Sequence, residues 1–110
     1  MYGLTEMEDF RAFFDDLYAC ADVQGLPLEA AISEYAAGQF EMTLAHKADA
    51  LRACDDAIMH KRMVMAIAAK HSVVAAVMAK PFEWSAGNGM HLHASLLDAD
   101  GKNAFASEDP

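Results

Sequence analysis

The stretch at positions 87–96, GNGMHLHASL, alternates polar and apolar residues in a pattern that could do chemistry. His91, His93 and Ser95 are spaced by two, and side chains at that spacing lie on one face of a strand, roughly 6.6–6.8 Å apart. The apolar residues between them would then lie in the core: Met90, Leu92, Ala94 and Leu96. Such a row of polar side chains either binds a metal or polar ligand, or forms a solvent-facing edge of a sheet.

Two carboxylates stand in a second stretch, EYAAGQFE at positions 34–41. The odd separation of Glu34 and Glu41 puts them on opposite faces of an uninterrupted strand, so they converge only if the chain bulges or turns between them. Gly38 permits the positive φ that such a bulge or turn requires. Joined by His91 from a neighbouring strand, the two carboxylates would form an oxygen-rich site that suits Mg²⁺ or Mn²⁺ better than Zn²⁺. The alternative is two exposed glutamates in an acidic protein.

The elements that must position these residues begin with a helix that ends at Gly25 and Pro27. Thr5 and Glu8 have the spacing of a capping box, which predicts the start of this helix. Apolar residues at helical spacing predict its buried stripe: Met7, Phe10, Phe14, Leu17 and Ala21. A second helix is predicted over 47–72, with a stripe of Leu51, Cys54, Ile58 and Met65.

Strands are predicted between and after the helices. Alternation after Gly38 indicates a half-buried strand with Phe40, Met42 and Leu44 facing inward. Buried strands are predicted over 73–81 and 90–98, with a hairpin turn at DADG, positions 98–101. This order predicts an α+β fold, with a mixed or antiparallel sheet and helices packed on one face.

Composition limits the classes of function. The chain has 110 residues, 55% of them apolar, and a formal net charge of −9, so we expect one domain at most and no nucleic-acid partner. No run of about 18 apolar residues and no basic leader occurs, so we expect no membrane partner, no signal peptide and a cytoplasmic protein. Cys20 and Cys54 are predicted to be buried free thiols.

Other polar residues are predicted to be structural. His46, His60 and His71 are interpreted as surface or capping histidines, and Asp55 and Asp56 as part of a solvated face. Trp84 could shape a substrate entrance or simply pack, and Lys80 could face phosphate or be structural. The sequence leaves both of these open.

The two stretches together resemble the catalytic domain of the glutamine synthetase family. EYAAGQFE and MAKPFEWSAGNGMHLHASL occur in the family's order and at fitting distances, and the similarity spans about residues 15–105. Ala86, Ala37 and Ser33 replace an Asn, a Pro and a His that are common in the family. These departures resemble the branch that joins glutamate to amines or polyamines.

The resemblance implies a role for each matched residue. Glu34 and Glu41 match the ligands of one active-site Mg²⁺ or Mn²⁺, and His91 matches a ligand of the other. His93 and Ser95 match nucleotide contacts, and Gly87 matches a glycine whose backbone holds the substrate glutamate. No matched residue is assigned as catalytic. The implied reaction uses ATP to phosphorylate the γ-carboxylate of glutamate, after which ammonia or an amine displaces the phosphate.

The resemblance also implies that residues 1–110 are a central fragment of the catalytic domain. Further metal-binding glutamates, arginines and an N-terminal domain of the parent would then lie elsewhere, so we expect the isolated chain to be inactive and the parent to be a large homo-oligomer. Two alternatives stay open. The chain could be a non-catalytic module that binds a divalent cation, or an inactive structural fragment on the same scaffold.

Overall fold

A computed structural model describes residues 4–107 of the chain. Its elements, in chain order, are α1 (Leu4–Asp9), α2 (Arg11–Gln24), β1 (Leu28–Ser33), β2 (Phe40–Leu44) and α3 (Ala50–Lys70). The strands form one two-stranded antiparallel sheet, and the helices supply most of the core. The predicted α+β class is therefore confirmed.

The first predicted helix is divided in two at Phe10. Thr5 lies inside α1 and not at a cap, and the carboxylate of Glu8 instead pairs with the guanidinium of Arg11 at 3.0 Å. The predicted end is confirmed, because Gly25 adopts a left-handed conformation with φ of +64°. Its N–H donates to the carbonyl of Asp22, which satisfies one of the free carbonyls at the end of α2.

The core forms around the inner face of α2. Phe14, Leu17 and Ala21 are buried as predicted, and Met7 and Phe10 pack against them. The stripe prediction omitted Phe13, which is also buried. The core is completed by residues from the following elements: Leu26, Met63, Val64 and Ala68.

Aromatic side chains fix the hairpin of β1 and β2 against α2. Phe40 makes edge-on contacts with Phe10 and Phe14, at centroid distances of 5.2 and 5.1 Å. Such edge-on pairs add to the stabilisation that comes from burial of the rings alone. The predicted alternation along β2 is confirmed, since Phe40 is half-buried while Glu41 and Thr43 are exposed. One face of the hairpin therefore covers the core and the other faces solvent.

The predicted stripe of α3 is wrong. Leu51 is 82% exposed, and Cys54, Ile58 and Met65 are exposed as well. The buried residues of this helix are Asp56, Met63, Val64 and Ala68. The predicted stripe lies on a different face of α3 from the one turned to the core, which carries the acidic Asp56 beside its apolar residues. Within residues 4–107, no helix combines the length and the apolar character needed to cross a bilayer.

The strands predicted over 73–81 and 90–98 are also wrong. Neither segment pairs into a ladder, and Val74 is 95% exposed. The residues expected to be the core side of the second segment are exposed, among them Met90, Leu92 and Leu96. A strand needs a neighbour for its N–H and C=O groups, and within the described residues the sheet has only β1 and β2.

The predicted turn at 98–101 is confirmed. The N–H of Gly101 donates to the carbonyl of Asp98 at 3.1 Å, and Gly101 has a φ of +77°. An isolated antiparallel bridge joins Leu97 to Asn103 across this turn. The chain therefore reverses here without forming a longer hairpin.

Candidate functional site

A tight turn between β1 and β2 carries the two glutamates. Ile32 pairs with Glu41 and Ser33 with Phe40, and the N–H of Glu34 continues the ladder by donating to the carbonyl of Gln39 at 2.8 Å. Residues opposite each other in an antiparallel ladder share a face. Alternation from Ser33 therefore places Glu34 on the same face as Glu41, turned away from the core.

Glu34 and Glu41 are diagonal neighbours on this face, a relationship in which α-carbons lie about 7–8 Å apart. The sequence required a bulge or a turn for this, and the structure has a turn, with Gly38 at φ of +69°. A β-carbon on Gly38 would have no other atom within 4 Å, so there is room for a side chain. Glycine is favoured here because the backbone is left-handed, not because the site is crowded.

The side chain of Gln39 links this turn to the glycine-rich loop. Its Oε1 accepts from the N–H of Ala36 at 3.0 Å, which holds the amide inside the turn. Its Nε2 donates to the carbonyl of Gly87 and to Oδ1 of Asn88, each at 2.9 Å. The two stretches that carried the sequence argument are therefore in direct contact.

The loop side of this contact is built on Asn88. Its Nδ2 donates to the carbonyl of Met78 and its backbone N–H donates to the carbonyl of Ala79, both at 2.8 Å. Gly87 packs so closely that a β-carbon on it would lie 2.8 Å from the same Ala79 oxygen. Lys80, left open by the sequence, donates through Nζ to the carbonyl of Ser85, which closes the loop before the glycines.

Two contacts connect the segment that carries the histidines to the residues that flank β2. At its start Asn88 contacts Gln39, and further on Oγ of Ser95 lies 3.5 Å from Nε2 of His46. Asn88 contacts Gln39 and Ser95 contacts His46, so residues 88–95 run in the same direction as residues 39–46. His91 and His93 lie between these two contacts, and both are exposed.

The described residues contain no group of three or more His, Cys, Asp or Glu side chains that could hold a metal ion. The structure thus brings Glu34 and Glu41 onto one face but does not gather His91 with them as a third ligand. The metal role of Glu34, Glu41 and His91, the nucleotide role of His93 and Ser95, and the substrate role of Gly87 stay predictions.

Sequence reasoning missed the pair formed by Gln39 and Asn88. Both amides stand next to glycines, in Gly-Gln and Gly-Asn-Gly, and that pairing was the available signal. The sequence argument considered carboxylates and imidazoles, which bind metals, and did not consider the amides that connect the two stretches.

Asp56 also departs from its prediction, because it is 2% exposed and not part of a solvated face. Its carboxylate lies 2.6 Å from Nζ of Lys47 and 2.9 Å from Nε of Arg52. The hydrogen bond from Lys47, helped by the nearby charge of Arg52, holds the pKa of Asp56 below its ordinary value. This buried ion pair joins the start of α3 to the residues after β2.

The remaining histidines of α3 have different surroundings. His71 is the C-cap residue, and its Nε2 lies 2.7 Å from Oδ2 of Asp16. Hydrogen bonds from Lys70 and then His71 hold the pKa of Asp16 below its ordinary value. His60 is half-buried, its Nε2 has no hydrogen-bond partner among residues 4–107, and burial lowers its pKa.

An open groove lies between the end of α2 and the first half of α3. Its walls include Gln24, Leu26, Arg52, Asp56 and Met59. None of the residues that the sequence singled out for metal, nucleotide or substrate lines it, so the candidate site is the hairpin and the loop that contacts it.

The whole chain, residues 1–110, matches the family described as glutamine synthetase, catalytic domain. The chain belongs to the glutamine synthetase family. The resemblance predicted from EYAAGQFE and the Gly-x-Gly-x-His-x-His stretch is thereby confirmed. Membership also agrees with the α+β arrangement of the chain.

Relatives include enzymes named for different acceptors. Gamma-glutamylputrescine synthetase PuuA of Escherichia coli is 38% identical over 99% of this chain and 23% of its own length. A glutamate–isopropylamine ligase of a Pseudomonas species is 46% identical over 77% of this chain and 18% of its own. A glutamine synthetase of Halobacterium salinarum is 40% identical over 80% of this chain and 19% of its own.

The chain thus spans about a fifth of the length of these glutamine synthetase relatives. Similarity to the amine-ligase branch, predicted from the departures at Ser33, Ala37 and Ala86, is confirmed by the first two relatives. No solved structure matches the chain.

Proposed function

We propose that this chain forms part of the active site of an ATP-dependent ligase that joins the γ-carboxylate of glutamate to ammonia or an amine. One observation carries the proposal: the turn that places Glu34 and Glu41 on one face is hydrogen-bonded through Gln39 to the loop that contains Gly87. A metal site and a substrate loop that act on the same carboxylate must be held together, and this contact joins them.

Glu34 and Glu41 would hold one Mg²⁺ or Mn²⁺, and His91 would hold a second. The residues fit such an ion in part, because the two carboxylates share a solvent-facing face and supply the oxygen ligands that hard divalent cations prefer. When bound, these ions neutralise phosphate oxygens. His93 and Ser95 would contact the nucleotide beside β2, and the backbone of Gly87 would contact the substrate glutamate.

The reaction has two steps. A γ-carboxylate oxygen of glutamate attacks the γ-phosphorus of ATP, and the bond to ADP breaks. The nitrogen of ammonia or of an amine then attacks the activated carbonyl carbon, inorganic phosphate leaves, and the nitrogen loses a proton. The residues of this chain would bind and orient the reactants. None of them is assigned as the group that accepts the proton.

An amine acceptor is favoured over ammonia. Ala86 stands where the family commonly has an Asn that contacts the substrate, and the side-chain amide of Asn88 is not free to replace that contact. Its amide is already engaged with Gln39 and with the carbonyl of Met78. This altered loop and the names of the amine-ligase relatives support the same acceptor class.

The remaining parts of the site would come from other segments of a longer parent or from neighbouring subunits. The chain covers about a fifth of its relatives, and the described residues do not complete a three-ligand metal site. We therefore propose that the chain is a central fragment of the domain, inactive by itself, whose parent is a cytoplasmic homo-oligomer.

Calorimetric titration of the full chain with Mn²⁺ tests the metal assignment. Glu34→Gln and Glu41→Gln should each weaken binding by about tenfold or more, because each removes a charged oxygen ligand. Glu29→Gln is the matched control, since Glu29 is exposed and lies at the irregular position of β1, outside the turn. If all three variants bind Mn²⁺ as tightly as the unmutated chain does, Glu34 and Glu41 are not metal ligands.

A second titration separates a ligase from a simple cation-binding module. With Mn²⁺ present, ADP should bind, and His93→Ala and Ser95→Ala should weaken that binding while leaving the response to Mn²⁺ alone intact. Mn²⁺ binding that no nucleotide alters would instead favour the non-catalytic module.

A further inference from the structure

Two side-chain amides, those of Gln39 and Asn88, join three separate segments of the chain: the turn after β1, residues 76–79, and the glycine-rich loop 85–89. We propose that Gln39 and Asn88 are positioning residues that hold the substrate loop at a fixed place relative to Glu34 and Glu41. The effect on ligand binding rests on the proposed function, whereas the effect on the loop does not.

The orientation of Gln39 is fixed by its own turn. Its Oε1 accepts from the N–H of Ala36, so the NH₂ group must face the loop. That group has two hydrogens, and it makes two contacts, with the carbonyl of Gly87 and with Oδ1 of Asn88. Every polar atom of this side chain is therefore used, and no other residue type supplies the same set of donors and acceptors at this length.

Asn88 is used just as fully. Its Oδ1 accepts from Gln39, its Nδ2 donates to the carbonyl of Met78 at 2.8 Å, and its N–H donates to the carbonyl of Ala79. An aspartate here, or a glutamate at 39, would turn an oxygen towards an oxygen and lose the donor. The arrangement therefore depends on an amide at both positions.

The loop has little else to hold it to the hairpin. No strand or helix forms over 71–107, so no ladder of backbone hydrogen bonds connects this region to β2 in the described part of the chain. Side-chain bonds from Gln39 take the place of that ladder. Catalytic groups must be held to within a fraction of an ångström, so a loss of this pair would loosen the site without unfolding the helices.

The first test needs no ligand. Hydrogen exchange at the backbone N–H of Asn88 should be faster by about tenfold in Gln39→Ala and in Gln39→Glu, because the hydrogen bonds that hold the loop are lost. Gln24→Ala is the matched control, since that side chain donates to Cys20 on the same helix and touches neither the turn nor the loop. The exchange of α2 should not change in any of the variants.

A double-mutant cycle makes this test sharper. Because the two amides share one hydrogen bond, Gln39→Ala combined with Asn88→Ala should loosen the loop by less than the sum of the two separate effects. Additive effects, or an unchanged exchange rate in the Gln39 variants, would overturn the proposal. Gln39→Glu keeps the size of the side chain, so the comparison still holds if the alanine variant folds poorly.

The second test asks whether the pair positions a ligand site. Affinity for L-glutamate, measured with Mn²⁺ present, should fall about tenfold in Gln39→Ala and in Asn88→Ala, which add no charge near Glu34 and Glu41, while the affinity for Mn²⁺ changes less than about twofold. A purely structural role would change neither affinity as long as the chain stays folded, and that outcome would overturn the positioning role. If the unmutated chain binds neither Mn²⁺ nor L-glutamate, the binding roles proposed for Glu34, Glu41 and Gly87 fail, and the exchange experiment still decides whether the pair holds the loop.

Discussion

The carbonyl oxygen of Ala79 lies 2.8 Å from the place that a β-carbon on Gly87 would occupy. Real β-carbons do not approach backbone oxygens so closely, so Gly87→Ala must displace either the loop or residues 76–79. We expect a loss of about 1–3 kcal/mol in the free energy of unfolding, the usual range for an overpacked site. Urea unfolding, together with hydrogen exchange at Asn88, measures both the loss and its location.

Gly89→Ala is the control in the same loop. A β-carbon there would first meet the imidazole of His91, at an ordinary contact distance of 3.6 Å, so we expect little change. If both substitutions have equal effects, crowding against Ala79 does not explain the glycine at 87.

The ion pair of Asp56 should make the stability of the fold depend on pH. Lys47 and Arg52 hold the pKa of the Asp56 carboxyl below its ordinary value of 3.8. Between the lowered pKa and pH 3.8, the folded state therefore binds fewer protons than the unfolded state. The pair therefore stabilises the fold above pH 3.8, and this stabilisation is lost as the pH falls through the lowered pKa. Asp56→Asn should lower the thermal midpoint near neutral pH, and the difference from the parent sequence should shrink below pH 3.8.

Asp55→Asn provides the comparison, because Asp55 is its exposed neighbour on α3. We expect it to melt close to the parent sequence at every pH. A difference for Asp56→Asn that persists unchanged into strong acid would contradict the electrostatic explanation.

His60 predicts the same dependence on pH for a different reason. Burial, without a partner for Nε2 among residues 4–107, lowers its pKa below the ordinary 6.5, so protonation is costlier in the folded chain than in the unfolded one. Stability contributed by neutral His60 is present above pH 6.5 and is lost as the pH falls through the lowered pKa. His60→Leu should remove this loss and leave the chain at least as stable near pH 7, since Nε2 gives up no hydrogen bond within residues 4–107.

Urea unfolding at several pH values between about 7.5 and 5 measures this difference directly. The exposed His46 serves as the comparison, and His46→Leu should keep the pH dependence of the parent sequence. If the unmutated chain and the His60→Leu variant lose stability in parallel over this pH range, His60 does not cause the pH dependence.

Local signals predicted the first part of the fold well. Helical spacing placed Phe14, Leu17 and Ala21 in the core, and Gly25 marked the end of α2, because each depends on residues within a few positions. Alternation likewise identified β2. The stripe of α3 was wrong because the buried face includes Asp56, whose charge is satisfied by Lys47 and Arg52, and apolar periodicity does not register such a residue.

Non-local partners explain the other errors. The apolar run over 73–81 and the alternation over 90–98 are compatible with strands, but a strand forms only beside another, and sequence spacing does not say whether that neighbour is present. The parity of Glu34 and Glu41 correctly required a reversal at Gly38. The bond between Gln39 and Asn88 joins positions 49 apart, so the neighbouring glycines marked each amide but did not show that the two amides are in contact.

The exposure of Trp84 turns the chain into its own optical probe. It is the only tryptophan in the sequence, and 87% of its surface faces solvent in the loop that leads to Gly87. Its fluorescence should therefore lie at the long wavelengths of a hydrated indole and be readily quenched by acrylamide. Any molecule or polypeptide that covers this side of the loop will shift that emission to shorter wavelengths, which reports on the site without a label.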